Sequence, residues 1–116
     1  IIYSLDGYDE ISLTSDTRVI TNRGEEIMTP EQLGKRRVSP ADISGGHSVE
    51  ESARIFTAIL SGEGTWAQNA VVLANAALAL HCTGNFGSYE AAYQAAVESL
   101  ESGRAHKAMQ KLIQLQ

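Results

Sequence analysis

Cysteine and basic residues are scarce in this sequence, and each shortage excludes a class of site. Cys82 is the single cysteine in 116 residues, so neither an intramolecular disulfide nor a thiolate metal cluster can form. Nine Lys and Arg stand against fourteen Asp and Glu, and the resulting net charge of −5 argues against a general nucleic-acid binder. Such a surface repels phosphate-rich ligands unless a metal ion or a few placed cations intervene.

Long uninterrupted hydrophobic runs are also missing. The longest apolar stretch, Trp66 to Cys82, contains Gln68, Asn69, Asn75 and His81 and therefore suits a core helix better than a membrane span. Since no signal peptide or lipidation motif is visible, we expect a cytoplasmic protein without a membrane partner.

The hydrophobic fraction of 43% predicts a globular chain, and its two parts differ in secondary structure. Residues 1–47 are typical of strands and turns, and residues 48–116 are typical of helices. The chain opens on apolar Ile1 and Ile2 without an initiator Met, so we interpret residues 1–116 as one fragment cut through or before a buried strand. Its strands are then expected to be the last strands of a larger α/β sheet.

The first part contains four short β-prone runs: Ile1–Tyr3, Ile11–Thr14, Arg18–Thr21 and Glu25–Thr29. Ile11–Thr14 alternates apolar and polar residues, which predicts a half-buried strand. Asn22–Gly24 separates the last two runs and ends in glycine, which predicts a hairpin. Two cap-then-proline pairs, Thr29–Pro30 and Ser39–Pro40, each predict a short helical turn.

Four helices are predicted in the second part. Ser48, Thr65 and Ser88 are expected N-caps, with Glu51 and Gln68 completing capping boxes. Three glycines are expected to end helices: Gly62, Gly84 and Gly103. The second helix is apolar nearly all round, which predicts that it is central and buried. Predicted core positions of the other helices are Ala53, Phe56, Ile59, Leu60, Tyr93, Ala96, Val97, Leu100, Ala105, Met109, Leu112 and Ile113 or Leu115.

Asp9–Glu10 is the strongest candidate for chemistry. The pair follows Gly7 between two β-prone runs, so we expect it at a strand end or in the adjoining loop, where both carboxylates can approach one cation. Mg²⁺ commonly combines one or two carboxylates with substrate phosphates and water. A solvated turn is the alternative, because the dipeptide alone has little specificity.

Further motifs support a family resemblance. Leu5–Thr14 resembles the DG-(L/Y)-DE-(I/V)-S segment of anthranilate phosphoribosyltransferases, and Thr29–Gly34 resembles their TPE-(F/L)-G turn. Gly45–Ala53 resembles the family's GG-containing helix start, and Leu60–Leu80 resembles its helix ending LLNAAAAL. The resemblance runs in order through essentially the whole chain, which makes it specific.

The resemblance implies the C-terminal part of the α/β domain of a nucleoside-phosphorylase/phosphoribosyltransferase-like fold. It implies transfer of the phosphoribosyl group of phosphoribosyl pyrophosphate (PRPP) to anthranilate in tryptophan biosynthesis, with release of pyrophosphate. By position, Asp9 and Glu10 match the acids that hold the family's Mg²⁺ against the pyrophosphate, where the metal offsets leaving-group charge. The intact enzyme is then expected to be a homodimer.

Departures from the family limit this expectation. Tyr3–Ser4 stands where the family often has His-Gly, so neither residue is assigned a role. The glycine-rich PRPP loop, the Lys/His/Asn region and the anthranilate-contacting arginine belong to parts of the family outside this chain. We therefore expect no catalytic residue here and an inactive isolated chain. A pyrimidine nucleoside phosphorylase-like fragment and a non-catalytic helical interaction domain are the alternatives.

The remaining polar features are interpreted as structural. Gly45–His47 precedes a capped helix and could bind an anion, but a tight turn is the simpler interpretation. His81 is expected to be hydrogen-bonded in the core or at its rim, and Cys82 to act as a small hydrophobe. Asn75 is expected to tie its helix to a neighbouring loop, because a buried amide needs partners. Lys35–Arg37 is expected to be a solvated basic run.

Two wider expectations follow from these patterns. The histidines, His47, His81 and His106, are too widely spaced for a zinc site. Unpaired strand edges near Ile1 and Ile11 predict self-association of the chain.

Overall fold

The computed structural model describes residues 1–116 and contains three strands followed by four α-helices. The strands β1 (Ile2–Ser4), β2 (Thr17–Thr21) and β3 (Gly24–Met28) form an antiparallel sheet in that order. After a 3-10 turn at Pro40–Ile43, the helices are α1 (Val49–Leu60), α2 (Trp66–Cys82), α3 (Tyr89–Glu101) and α4 (Arg104–Gln114). The predicted α/β class and the order of strands, turns and helices are confirmed.

The hairpin between β2 and β3 is confirmed, with a loop one residue shorter than predicted. Thr21 pairs with Gly24, so that Asn22 and Arg23 alone make the connection. Gly24 has a φ of +141°, a value that glycine adopts without strain because it lacks a Cβ atom.

The predicted strand at Ile11–Thr14 is wrong. Ile11, Ser12 and Leu13 are all buried, whereas a half-buried strand alternates its faces. Leu13 has a φ of +60°, which lies in the left-handed region that strands do not use. The segment is instead part of the long connection between β1 and β2. Its apolar side chains pack into a core cluster of Ile11, Leu13, Leu33, Ala70 and Ala74.

Hydroxyl caps set the starts of α1, α2 and α3, as predicted. The side chains of Ser48, Thr65 and Ser88 accept hydrogen bonds of 3.1 to 3.3 Å from the backbone N–H three residues on. The capping box is complete in α2. In α1 the Glu51 carboxylate reaches one residue further back and accepts from the His47 N–H at 2.9 Å.

The central helix α2 buries one face rather than its whole surface. Its fully buried residues are Ala67, Ala70, Ala74 and Ala77, spaced three and four apart. Helix α3 packs on α2 and buries its own stripe of Ala92, Ala96 and Leu100, where two of these were predicted. Val72 of α2 is 38% exposed, so the prediction of burial all round is wrong. None of the helices combines the length and hydropathy needed to cross a bilayer.

The predicted burial of α4 is also wrong. No residue of α4 is fully buried, and Leu112, Ile113 and Leu115 are 54%, 58% and 76% exposed. In α1 only Ile59 is fully buried, and Phe56 is exposed. A helical stripe shows which face is apolar, but burial also needs a partner surface.

Candidate functional site

Asp9 and Glu10 lie in the acidic loop, defined here as residues 5–16 between β1 and β2. The prediction that the pair lies in a loop beside a strand end is confirmed. Both residues are exposed, and neither forms an ion pair. The acids that do form ion pairs are Asp16, Glu25, Glu31 and Glu98. The two carboxylates are therefore free to bind a ligand.

The base of the acidic loop is closed by the β1–β2 ladder. Ser4 pairs with Thr17, and the Leu5 N–H donates to the Asp16 carbonyl at 2.9 Å. A tight turn follows, in which the Gly7 N–H donates to the Ser4 carbonyl at 3.1 Å and Gly7 has a φ of +104°. Because only glycine adopts this φ readily, Gly7 fixes the point at which the chain turns towards the acids.

A network of hydroxyl groups crosses the interior of the acidic loop. The Ser4 hydroxyl donates to the Glu10 carbonyl at 2.6 Å and accepts from the Ser12 N–H at 3.0 Å. The Ser12 hydroxyl lies 2.9 Å from Ser4 Oγ and 2.6 Å from Thr14 Oγ1. Thr14 in turn donates to Asp6 Oδ2 at 2.5 Å. Ser4 and Ser12 are each 1% exposed, so their part of the network is shielded from water, whereas the Thr14–Asp6 bond lies at the surface.

Asp6 ends this network and its pKa is lowered by it. The Thr14 hydroxyl is the largest cause, the Ser15 hydroxyl and the Arg37 charge act in the same direction, and burial opposes them. A group with a lowered folded-state pKa stabilises the fold above its unfolded pKa. That contribution is lost as the pH falls through the folded pKa.

We expect Thr14→Val to raise the pKa of Asp6 towards its ordinary value and Ser15→Ala to raise it less. Carbon-13 NMR titration of the Asp6 carboxyl group measures both shifts. The stability of the wild-type chain should fall as the pH is lowered below 3.8, the ordinary pKa of the Asp6 carboxyl group, and Thr14→Val should make that fall shallower. A larger rise in Ser15→Ala than in Thr14→Val would contradict the assignment.

The floor of the acidic loop is held by the core and by α2. The Leu13 carbonyl accepts from the Val38 N–H at 3.1 Å, and the Leu13 side chain is fully buried. The Asn75 side chain pairs with both backbone groups of Ile11, accepting from its N–H at 3.0 Å and donating to its carbonyl at 2.8 Å. The prediction that Asn75 ties its helix to a neighbouring loop is confirmed. Sequence reasoning did not identify the Ser4–Ser12–Thr14 network, since nothing in the spacing of these residues indicates it.

Glu10 and Asn75 line the same open groove, with a volume of about 510 Å³, between the acidic loop, α1 and α2. Its apolar lining residues are Ile43, Ile55, Phe56, Ile59, Val71 and Val72. A larger cavity of about 660 Å³ lies at Arg36, Arg37 and Trp66, away from the acid pair. The groove places the unpaired Glu10 carboxylate beside a concave surface.

The two acids fit Mg²⁺ only as part of a larger ligand set. No group of three or more His, Cys, Asp or Glu side chains in residues 1–116 could hold a metal ion. Exposed, unpaired carboxylates are the oxygen donors that Mg²⁺ accepts, and its usual sites complete the shell with phosphate oxygens and water. The chain can thus contribute one edge of a metal site.

The structural interpretations of the other candidates have mixed outcomes. The Gly45–His47 turn is confirmed, because Glu51 already accepts the His47 N–H and packs against Gly46, which has a φ of +89°. His81 is half-buried, as expected of a residue at the rim of the core, but its Nδ1 atom is buried and lacks the hydrogen bond that was predicted. Cys82 is exposed, so it does not pack as a core residue.

The basic run Lys35–Arg37 is engaged with the fold instead of being simply solvated. The Lys35 ammonium lies 3.8 Å from the Tyr93 ring centre, and the Arg36 guanidinium 4.2 Å from that of Trp66. Arg37 forms an ion pair with Asp16 at the end of the acidic loop. The run therefore fastens the loop region to α2 and α3.

Sequence comparison supports the resemblance noted from the motifs. The chain is 51% identical over 115 residues to an anthranilate phosphoribosyltransferase of Flavobacterium johnsoniae, covering 99% of this chain and 34% of that protein. It is 48% identical over 115 residues to the enzyme of that name from Flavobacterium psychrophilum, with the same coverage of both chains. The chain therefore spans about a third of the length of these relatives.

Comparison with solved structures supports the same resemblance. The chain matches the crystal structure of anthranilate phosphoribosyltransferase from Thermus thermophilus with a TM-score of 0.84 and 27% identity. The match covers 95% of this chain and 33% of that one. The model of the family described as "Glycosyl transferase family, a/b domain" matches residues 1–106. This chain therefore belongs to the glycosyl transferase family whose a/b domain that model describes.

Proposed function

We propose that this chain supplies the metal-binding acids of an enzyme that transfers the phosphoribosyl group of PRPP to anthranilate, giving N-(5-phosphoribosyl)anthranilate and pyrophosphate. We further propose that residues 1–116 are the C-terminal portion of its α/β domain. The observation that carries the proposal is the pair of exposed, unpaired carboxylates on a loop with a buried framework. Its support is 51% identity to a relative of that name.

In this role Asp9 and Glu10 provide oxygen donors on the acidic loop, and Glu10 lines the groove. Bound Mg²⁺ would supply the positive charge that offsets the charge developing on departing pyrophosphate. The acids would hold that cation in place, and the bound cation would offset the repulsion that a chain with a net charge of −5 exerts on a diphosphate. The Ser4 and Asn75 contacts hold the backbone at Glu10 and Ile11, which supports a fixed position for Glu10.

A homodimer, a cytoplasmic location and self-association through a strand edge belong to the same proposal. β1 lies at the edge of the sheet and pairs only with β2, which supports the edge predicted near Ile1. The edge predicted near Ile11 is wrong, because Ile11 is buried and lies in no strand. The acidic net charge supports the expectation that nucleic acid is not a partner.

Titration of the chain with Mg²⁺ in the presence of pyrophosphate tests the proposal. We expect weak, saturable binding that Asp9→Asn/Glu10→Gln abolishes. The control is Glu25→Gln/Glu26→Gln, which removes two charges from neighbouring exposed positions on β3 and in addition breaks only the exposed Arg18–Glu25 ion pair, whose contribution to stability is small. Calorimetry measures all three proteins. Equal losses in the two double variants would show that bulk charge, and not the acid pair, attracts the ion.

A further inference from the structure

The Asn75 side chain makes contacts that an ordinary helix residue does not need. Its amide accepts from the Ile11 N–H at 3.0 Å and donates to the Ile11 carbonyl at 2.8 Å, the two bonds that a neighbouring strand would make. Ile11 is 1% exposed and lies outside every strand. Without Asn75, both backbone groups would be buried and unpaired, which is costly.

A second contact holds Glu10, the residue before Ile11, and it comes from β1 instead of α2. The Ser4 hydroxyl, at the end of β1, donates to the Glu10 carbonyl at 2.6 Å. The backbone from Glu10 to Ile11 is therefore held by β1 on one side and by α2 on the other. Because side-chain direction follows backbone direction, these contacts limit where the Glu10 carboxylate can point.

We propose that Asn75 is a positioning residue for the metal-binding acids: its amide fixes the Ile11 backbone and thereby aims the neighbouring Glu10 carboxylate along the rim of the groove. This inference rests on the proposed function. Asn75 and Glu10 line the same groove, so a change at Asn75 alters the surface near the Glu10 carboxylate. Mg²⁺ demands near-ideal octahedral geometry, which makes binding sensitive to the placement of each carboxylate.

A purely structural role predicts a different result from a positioning role. If Asn75 only joins α2 to the acidic loop, its loss lowers the free energy of unfolding and leaves metal affinity per folded molecule unchanged. If it positions Glu10, affinity per folded molecule falls as well. Asn69 offers a matched control, because it is a half-buried amide on the same helix that donates to the Gly64 carbonyl at 3.4 Å, away from the acids.

The test measures Mn²⁺ binding to the 116-residue chain in the presence of pyrophosphate by water-proton relaxation, scaled to the folded fraction from circular dichroism. We expect Asn75→Ala to weaken Mn²⁺ binding about tenfold, at the lower end of the effect of residues that orient metal ligands. Asn69→Ala should bind as the wild type does. Asn75→Gln keeps the amide but shifts it by one methylene, and it provides a second variant with weakened binding if the alanine variant does not fold. Hydrogen exchange at the Ile11 amide should accelerate in both Asn75 variants.

The outcomes separate this inference from the proposed function. Unchanged Mn²⁺ affinity in a folded Asn75 variant, together with lost affinity in Asp9→Asn/Glu10→Gln, overturns the positioning role alone. Unchanged affinity in the double acid variant, or no Mn²⁺ binding by the wild type, overturns the metal-binding role of the acids. An equal loss in Asn69→Ala and Asn75→Ala shows a general effect of α2 and also overturns the positioning role.

Discussion

Leu13→Gly is expected to leave the chain more stable than Leu13→Ala, the reverse of the usual order. Both variants lose the contacts of a fully buried leucine, which costs roughly 3 kcal/mol for the alanine change. Alanine still carries a Cβ atom at a φ of +60°, and the left-handed conformation costs an L-residue about 1–2 kcal/mol. Glycine avoids that cost, although it loses more chain entropy on folding, about 0.5–1 kcal/mol.

Urea unfolding of the two variants measures the difference directly. Ile11 is the matched control, because it belongs to the same core cluster, is equally buried and has no positive φ. At position 11 the alanine variant should be more stable than the glycine variant, because glycine loses more chain entropy on folding. If glycine is also the less stable residue at position 13, the left-handed backbone of Leu13 is not present in solution.

Local signals were sufficient to predict the helices. A cap such as Ser88 and a glycine such as Gly103 act within a few residues of their own positions, so their effects can be predicted from neighbouring sequence. Hairpin formation between β2 and β3 is equally local, because the Asn22–Arg23 loop brings the two strands together.

The strand predicted at Ile11–Thr14 failed because a distant contact decides its shape. Its alternation of apolar and polar residues fits a half-buried strand, yet Ser12 faces the buried hydroxyl of Ser4 and not solvent. Asn75, 64 positions away in the sequence, takes the hydrogen bonds that a strand partner would take. Hydrogen bonds to a residue so distant in the sequence cannot be predicted from the alternation of apolar and polar residues.

The exposed stripe of α4 shows a second limit. Leu112 and Ile113 have the spacing of a buried face, and that spacing predicts core packing. Burial depends on whether another element covers the stripe, and α1 contacts α4 without covering these residues. Prediction of the candidate site has a similar limit. Asp9–Glu10 is a common dipeptide, so the family resemblance is needed to assign it a function.

Grafting this chain in place of the matching 115 residues of the Flavobacterium johnsoniae enzyme should give an active chimaera. In that chimaera, Asp9→Asn/Glu10→Gln should lower kcat/KM for PRPP by about a hundredfold or more. Metal-borne stabilisation of transition-state charge amounts to several kcal/mol, and each 1.36 kcal/mol is a factor of about ten in rate. Pyrophosphate release with anthranilate as the acceptor measures the effect.

The controls decide between loss of the acids and loss of the fold. Glu25→Gln/Glu26→Gln in the same chimaera should keep its activity, because β3 carries that pair on exposed positions outside the groove. The isolated chain, which is about a third of the length of the relative, should show no turnover under the same conditions. Full activity of the acid-pair variant would remove the basis of the proposed function, since that function rests on the Asp9 and Glu10 carboxylates. Loss of activity with unchanged thermal unfolding would assign the defect to the two carboxylates themselves.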